Sequence, residues 1–198
     1  MEIPASLVRE LREKTNAGVM ECKSALQESK GDLDGAIQIL RKRGLSVAEK
    51  KAQRKVPEGI VASYIHLGGK IGVLVEVNCE TDFVARNERF RAFVKDITMH
   101  IAAMNPRYIR REDVPPEVIE EQKGKYAAEV SDKPPQIVEK IVEGRLNKHF
   151  FAEACLLDQP FIKDPEMTVE QYLKLAIGEL RENIVIRRFV RYSMGEDA

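Results

Sequence analysis

The chain has 198 residues, of which 43% are hydrophobic and 32% are charged, a composition typical of a globular protein with one or two domains. Its 32 basic and 32 acidic residues balance, which argues against a surface devoted to nucleic acid or to an anionic membrane. Its three cysteines are widely spaced and form no C-x-x-C pair, so the sequence predicts neither a disulfide framework nor a structural zinc site. Because it also lacks a signal-peptide core and a membrane-spanning run, we expect a soluble cytoplasmic protein without a membrane partner.

Residues 1–44 predict a small module of three short helices, because apolar residues recur there at helical spacing. The first helix runs to about Lys14, the second follows a turn at Asn16, and the third begins with Asp32 as its N-cap and ends at Gly44. This layout resembles the ubiquitin-associated module. We therefore expect a binding attachment rather than a catalytic body.

Val19 and Met20 directly follow the first turn and are the candidate docking residues of this module. Two interpretations are open: an exposed apolar pair that docks on a partner, or two side chains that fill an interface between helices. Residues 45–56 remain helical in pattern and turn basic, but they contain no aromatic residue on which a base would stack. We interpret them as a solvated basic linker helix in preference to a nucleic-acid patch.

Residues 57–198 predict an α+β core domain. Two β-branched runs flank Gly68 and Gly69, a pattern that indicates a β-hairpin, and the second run alternates with one fully apolar face. The final run E-N-I-V-I-R-R-F-V-R-Y predicts a third strand. The predicted fold class is therefore α+β, with the three-helix module joined to a three-stranded antiparallel sheet that is covered by helices.

The stretch N-C-E-T-D-F-V-A-R-N should be the turn where the second strand becomes a helix. Thr81 is suited to cap this helix and Asp82 to its first turn, and the helical pattern runs on to about Asn105. Phe83 lies seven residues before Phe90 and so falls close to the same stripe, which favours a core residue. The alternative is that an aromatic side chain in the first turn projects past the sheet edge and serves a function.

The C-terminal half predicts two helices bounded by prolines and a further helix from about Thr168 to Leu180. The last strand carries Arg187, Arg188 and Arg191. We expect these arginines at an edge or polar face of the sheet, where charge discourages unwanted strand pairing. Phosphate binding is the alternative role.

The sequence has no pattern for covalent catalysis. It contains no P-loop, and His66, His100 and His149 are too far apart and too isolated to predict a metal site. Cys79 lies near Asp82, but no base can be assigned to it, and a core thiol is favoured over a nucleophile. We therefore predict that the protein is not an enzyme and holds no metal or other cofactor.

Three blocks of sequence resemble elongation factor Ts, and they occur in the order expected for that family. They are L-R-E-K-T-N-A-G-V-M-E-C-K-S-A-L, then H-L-G-G-K-I-G-V-L-V-E-V-N-C-E-T-D-F-V-A-R-N-E-R-F, then E-G-R-L-N-K-H-F-F-A-E-A-C-L-L-D-Q-P-F-I-K-D. Asn16 stands where the family usually has glycine, and His149 takes a position that is commonly aromatic. The chain is also short for a second core repeat and a protruding coiled coil, so the resemblance implies that residues 57–198 are a core of the dimerisation type, with a homodimer through the core sheet.

The resemblance implies a guanine-nucleotide exchange factor for the translational GTPase elongation factor Tu, with no direct contact to nucleic acid. A short segment would enter the GTPase and disturb its magnesium and phosphate site, flanking residues would add contacts, and the helical module would dock. Carried over by position, the segment is Thr81, Asp82, Phe83 and Val84, the flanking residues are Arg86 and Asn87, and the docking residues are Val19 and Met20. The competing hypothesis is a non-catalytic adaptor that binds ubiquitin-like or nucleic-acid partners through its N-terminal module.

Overall fold

The computed structural model describes residues 3–15 and 17–196, so the predicted turn residue Asn16 lies outside the described part. Within that part, no helix is long and apolar enough to cross a membrane. The principal elements in chain order are α1 (Ala5–Thr15), α2 (Val19–Glu28), α3 (Leu33–Lys51), β1 (Glu58–Ile65), β2 (Ile71–Cys79), α4 (Asp82–Arg86), α5 (Glu88–Met104), α6 (Pro116–Ala128), α7 (Pro135–Arg145), α8 (Phe151–Ala154), β3 (Pro160–Phe161), β4 (Asp164–Thr168), α9 (Val169–Leu180) and β5 (Ile184–Ser193).

The three helices predicted for the N-terminal module are present and enclose one small apolar core. Leu11, Cys22 and Leu26 are fully buried within it. Asp32 caps α3 as predicted, because its carboxylate accepts a hydrogen bond from the Gly35 N–H group at 2.9 Å. The similarity of this module to the ubiquitin-associated module stays a prediction.

The predicted helix end at Gly44 is wrong, because α3 continues through this glycine to Lys51. An ideal Cβ atom on Gly178, in α9, would lie 2.8 Å from the Gly44 Cα atom, so the two helices cross in close contact at this pair. A glycine inside a helix costs about 0.5–1 kcal/mol relative to alanine. Here it is the Cβ atom missing from Gly178 that permits the close approach of α3 and α9.

The predicted fold class is confirmed for the sheet and its helices. The strands lie in the order β1-β2-β5, so the C-terminal strand pairs with the second strand of the hairpin. Val73, Val75 and Val77 are buried on one face of β2, as their alternation predicts. Gly68 and Gly69 both have positive φ angles, a backbone conformation that glycine adopts without the steric cost of a Cβ atom.

The described chain divides into two compact units that do not follow the order of the sequence. The first unit comprises Met1–Ile60, Val77–Phe93 and Leu173–Val185, and the second comprises Val61–Glu76, Val94–Tyr172 and Ile186–Ala198. The strand-to-helix corner and the helical module both belong to the first unit. The division into residues 1–44, 45–56 and 57–198 stays a prediction.

The second unit contains the helix pair α6 and α7 and a two-stranded sheet, β3-β4, that the sequence did not predict. His100 is fully buried there, and its Nδ1 atom accepts a hydrogen bond from the Ile162 N–H group at 3.3 Å. Its Nε2 atom therefore carries the proton and donates to Gln159 Oε1 at 2.9 Å. Burial lowers the pKa of His100, so this imidazole is a neutral core group.

Candidate functional site

The candidate site is the corner at which β2 ends and the short helix α4 begins. Thr81 has an extended backbone, with φ −131° and ψ 156°, and its hydroxyl oxygen accepts the Val84 N–H group at 3.4 Å. The predicted N-cap is therefore confirmed. Asp82 lies in the first turn, where a negative charge interacts favourably with the positive end of the helix dipole. Its carboxylate also forms an ion pair with Arg86 at 3.1 Å.

The predicted continuous helix from Asp82 to Asn105 is wrong, because the chain leaves the helical conformation at Asn87. This residue has φ −66° and ψ 135°. Its side-chain oxygen accepts the Arg89 N–H group at 2.8 Å, and a new helix, α5, starts beside it. The break changes the direction of the chain, so the stripe of α5 cannot be extended back into α4.

Phe83 is 82% exposed, whereas Phe90, seven residues later, is fully buried. The interpretation of Phe83 as a core residue is therefore wrong, and its physical reason is the break at Asn87. Ala85 is the buried residue of α4, and Val84 is half-buried. One face of α4 therefore packs against the rest of the protein, and the other face carries the exposed aromatic ring of Phe83.

Glu182 holds this corner from the far end of the chain, and sequence reasoning missed it. Its Oε2 atom accepts the N–H groups of Glu80 and Thr81 at 3.0 Å each, and its Oε1 atom accepts the Thr81 hydroxyl at 2.6 Å. Conversely, the Glu80 carboxylate accepts the Asn183 N–H group at 2.6 Å. The only signal in the sequence is a polar pair, Glu182 and Asn183, between a helix and a strand.

Cys79 is fully buried directly before the corner, and its thiol donates to the Thr81 carbonyl oxygen at 3.2 Å. Burial and then the nearby Glu182 carboxylate raise the pKa of this thiol to about 11. A thiol with so high a pKa carries little thiolate at neutral pH. The geometry therefore favours the core thiol over the nucleophile.

Val19 and Met20 lie in the first turn of α2, with 51% and 73% of their surfaces exposed. The interpretation that they fill the interface between helices is therefore wrong. The next residue, Glu21, accepts the Gly18 N–H group at 3.3 Å and forms an ion pair with Arg181. Arg181 immediately precedes Glu182 in the chain. Arg181 therefore contacts the helical module, while the next residue, Glu182, contacts the corner.

The family model described as elongation factor TS matches residues 8–196. Elongation factor Ts of Thermodesulfovibrio yellowstonii is 58% identical over 197 residues, which cover 99% of this chain and 98% of the relative. The proteins of the same name from Geobacter sulfurreducens and Alkaliphilus oremlandii are 58% and 56% identical over 198 residues, which cover 99% of this chain and 91% of each relative. The chain therefore belongs to the elongation factor Ts family of translation elongation factors.

Proposed function

We propose that the chain is a guanine-nucleotide exchange factor for the GTPase elongation factor Tu. The observation that carries this proposal is the exposed ring of Phe83. The corner on which it lies is capped by Thr81, and both the backbone N–H group and the hydroxyl of Thr81 donate hydrogen bonds to Glu182. Aromatic side chains, phenylalanine included, are enriched in protein interfaces relative to the rest of the protein surface. Membership of the elongation factor Ts family supplies the identity of the partner.

In this mechanism, Phe83 acts as an apolar wedge and Asp82 as the polar group beside it. Together with Thr81 and Val84 they form the segment that enters the GTPase near its magnesium and phosphate site, while Arg86 and Asn87 add flanking contacts. Magnesium bridges the phosphates of the nucleotide, so moving its ligands removes a large electrostatic contribution to nucleotide binding. No bond is made or broken in this step.

The exchange follows from thermodynamic linkage. If the chain binds the nucleotide-free GTPase more tightly than the loaded form, it must lower nucleotide affinity by the same factor. Rebinding of nucleotide then expels the chain, so the factor is recycled. A tenfold change in affinity corresponds to about 1.4 kcal/mol.

The test is the release of fluorescent GDP that has been preloaded on purified elongation factor Tu. With unlabelled nucleotide in excess, adding this chain should accelerate the loss of signal in proportion to its concentration until the rate saturates. A non-catalytic adaptor would leave the rate unchanged. An unchanged rate over the full concentration range contradicts the proposal.

We further propose that Val19 and Met20 dock on the GTPase as part of the same contact. Replacing both with alanine should raise the concentration needed for half-maximal exchange about tenfold, since a buried interface anchor is typically worth 1 kcal/mol or more. The rate at saturation should stay the same. Gln27→Ala, an exposed residue on the same helix, is the control, and an equal effect of both changes contradicts specific docking.

We also propose that the chain forms a homodimer through the outer face of its core sheet. Leu74 is 47% exposed on the face of β2 opposite the buried valines, and the Ile65 side chain lies 3.1 Å from an ideal Cβ atom on Gly72 of that face. Arg188 of β5 pairs with Glu76 on this face, and alternation then brings Val190 and Tyr192 to it. We call the apolar side chains of this face the sheet patch, which consists of Val61, Ile65, Leu74, Val190 and Tyr192. Several exposed apolar side chains on one face of a sheet are characteristic of an interaction site.

The dimer is tested by light scattering of the purified chain, which should give twice the 22.5 kDa mass of one chain. Leu74→Lys places a charge in the middle of the sheet patch and should convert the dimer to a monomer. Ile137→Lys is the matched control, because Ile137 is 48% exposed on α7 and lies outside the patch. A monomeric mass for the unsubstituted chain at all concentrations contradicts the dimer.

A further inference from the structure

Glu182 is hydrogen-bonded to the corner that carries Phe83. One carboxylate receives three hydrogen bonds, two from the consecutive N–H groups of Glu80 and Thr81 and one from the Thr81 hydroxyl. That hydroxyl is also the acceptor that caps α4. The carboxylate therefore fixes both the backbone that enters the helix and the rotamer of its cap.

The helix α4 cannot hold this orientation by itself. It contains five residues, which is far below the length at which an isolated helix is stable in water. Its C-terminal end also turns away at Asn87 and does not continue into α5. The direction in which Phe83 points therefore depends on the packing of Ala85 and on the N-terminal end of α4, where Glu182 acts.

We propose that Glu182 is a positioning residue for nucleotide exchange, which acts by holding the Glu80–Thr81 turn so that Phe83 is presented in one orientation. The inference rests on the proposed exchange function. Hydrogen bonds from backbone N–H groups to an ionised carboxylate are stronger than those between neutral groups. A segment that is ordered before it binds also loses less conformational entropy on binding.

The two residues that flank Glu182 also make contacts, one at the corner and one at the helical module. The Asn183 N–H group donates to the Glu80 carboxylate, and the Asn183 side-chain amide donates to the Arg54 carbonyl oxygen at 2.8 Å. On the other side, Arg181 pairs with Glu21, which directly follows the exposed Met20. The segment thus holds the corner and the start of α2 at once.

Arg181 adopts a left-handed backbone conformation with φ 59° while its N–H group donates to the Ile177 carbonyl oxygen at 2.9 Å. Glycine is the residue that takes this conformation at a helix end without steric cost. Here a long charged side chain takes it and reaches Glu21. Arg181 therefore ends helix α9 and also forms an ion pair with Glu21, which a glycine at this position could not do.

The inference is tested by comparing Glu182→Ala with Asp158→Ala in the GDP-release assay. Asp158 is a matched control, because it is also half-buried and its Oδ1 atom accepts hydrogen bonds from the Arg111 guanidinium at 2.8 Å and 2.5 Å. We expect Glu182→Ala to lower the rate at saturating factor about tenfold, because Phe83 then reaches the GTPase in many orientations. Glu182→Gln, which keeps one acceptor oxygen, should recover part of the rate.

The saturating rate separates positioning from loss of folded protein. If Glu182→Ala only reduced the folded fraction, it would raise the half-saturating concentration and leave the saturating rate unchanged, and that result overturns the inference. An equal fall for Asp158→Ala also overturns it. If the unsubstituted chain does not stimulate release at all, the proposed function fails and the role of Glu182 in exchange fails with it.

A second measurement needs no GTPase and reports on the corner alone. The sequence contains no tryptophan, so Phe83→Trp introduces a single indole at the tip of the corner. Time-resolved fluorescence anisotropy should show this indole moving with the whole protein, and adding Glu182→Ala should release a fast local motion. If the anisotropy decay is the same with and without Glu182→Ala, the carboxylate does not hold the corner and the inference is overturned.

Discussion

Replacing Phe83 with alanine is expected to slow stimulated GDP release about thirtyfold, the rate equivalent of the 2 kcal/mol that marks an interface hot spot. The stability of the free chain should hardly change, because the ring is 82% exposed and packs little against the rest of the protein. Thermal unfolding followed by circular dichroism checks the second statement. Release of fluorescent GDP from elongation factor Tu at saturating factor checks the first.

Leu67→Ala is the control for this experiment. Leu67 is 90% exposed next to the Gly68–Gly69 turn, so its truncation removes a similarly bare apolar side chain that no proposed contact uses. It should leave both the unfolding temperature and the release rate unchanged. If Phe83→Ala also leaves the rate unchanged, or if it lowers the unfolding temperature by several degrees, the side chain is not a wedge.

The corner that carries Phe83 shows which features can be predicted from the sequence and which cannot. Thr81 as a cap and the Gly68–Gly69 turn were predictable, because a cap and a tight turn depend on residues within a few positions of each other. The exposure of Phe83 was not predictable from residue spacing, because periodicity assumes that one helix continues. Asn87 ends it instead, and an asparagine inside a helical pattern does not by itself indicate a break.

Contacts between distant segments were not predictable at all. Glu182 and Thr81 meet because β5 pairs with β2 and places the residues before one strand beside those after the other. Gly44 is a similar case. Its pattern predicts a helix end, and only the folded chain shows that Gly44 lies inside α3, at the point where Gly178 of α9 has no Cβ atom and the two helices cross. For such residues the local sequence is compatible with several roles, and the residue that each one contacts in the folded chain determines which role it has.

Gly59→Ala is expected to destabilise the chain by about 3 kcal/mol or more, since it combines backbone strain with overlap of packed atoms. Gly59 has φ 149°, in the region that favours glycine, and an added Cβ atom would overlap the Val77 carbonyl oxygen and lie 2.7 Å from the Asn78 Cα atom. These are backbone atoms of β2 directly before the corner. Strands β1 and β2 would have to separate there, and the start of the corner would move with them.

Gly124→Ala is the control that isolates this effect, because both changes remove the same conformational freedom from the unfolded chain. Gly124 lies inside α6, and a Cβ atom there meets nothing within 4 Å. Its replacement should therefore stabilise the chain by about 0.5–1 kcal/mol. Urea unfolding followed by circular dichroism should move the two midpoints in opposite directions. A midpoint for Gly59→Ala at or above that of the unsubstituted chain would show that β1 and β2 can separate at this point without cost.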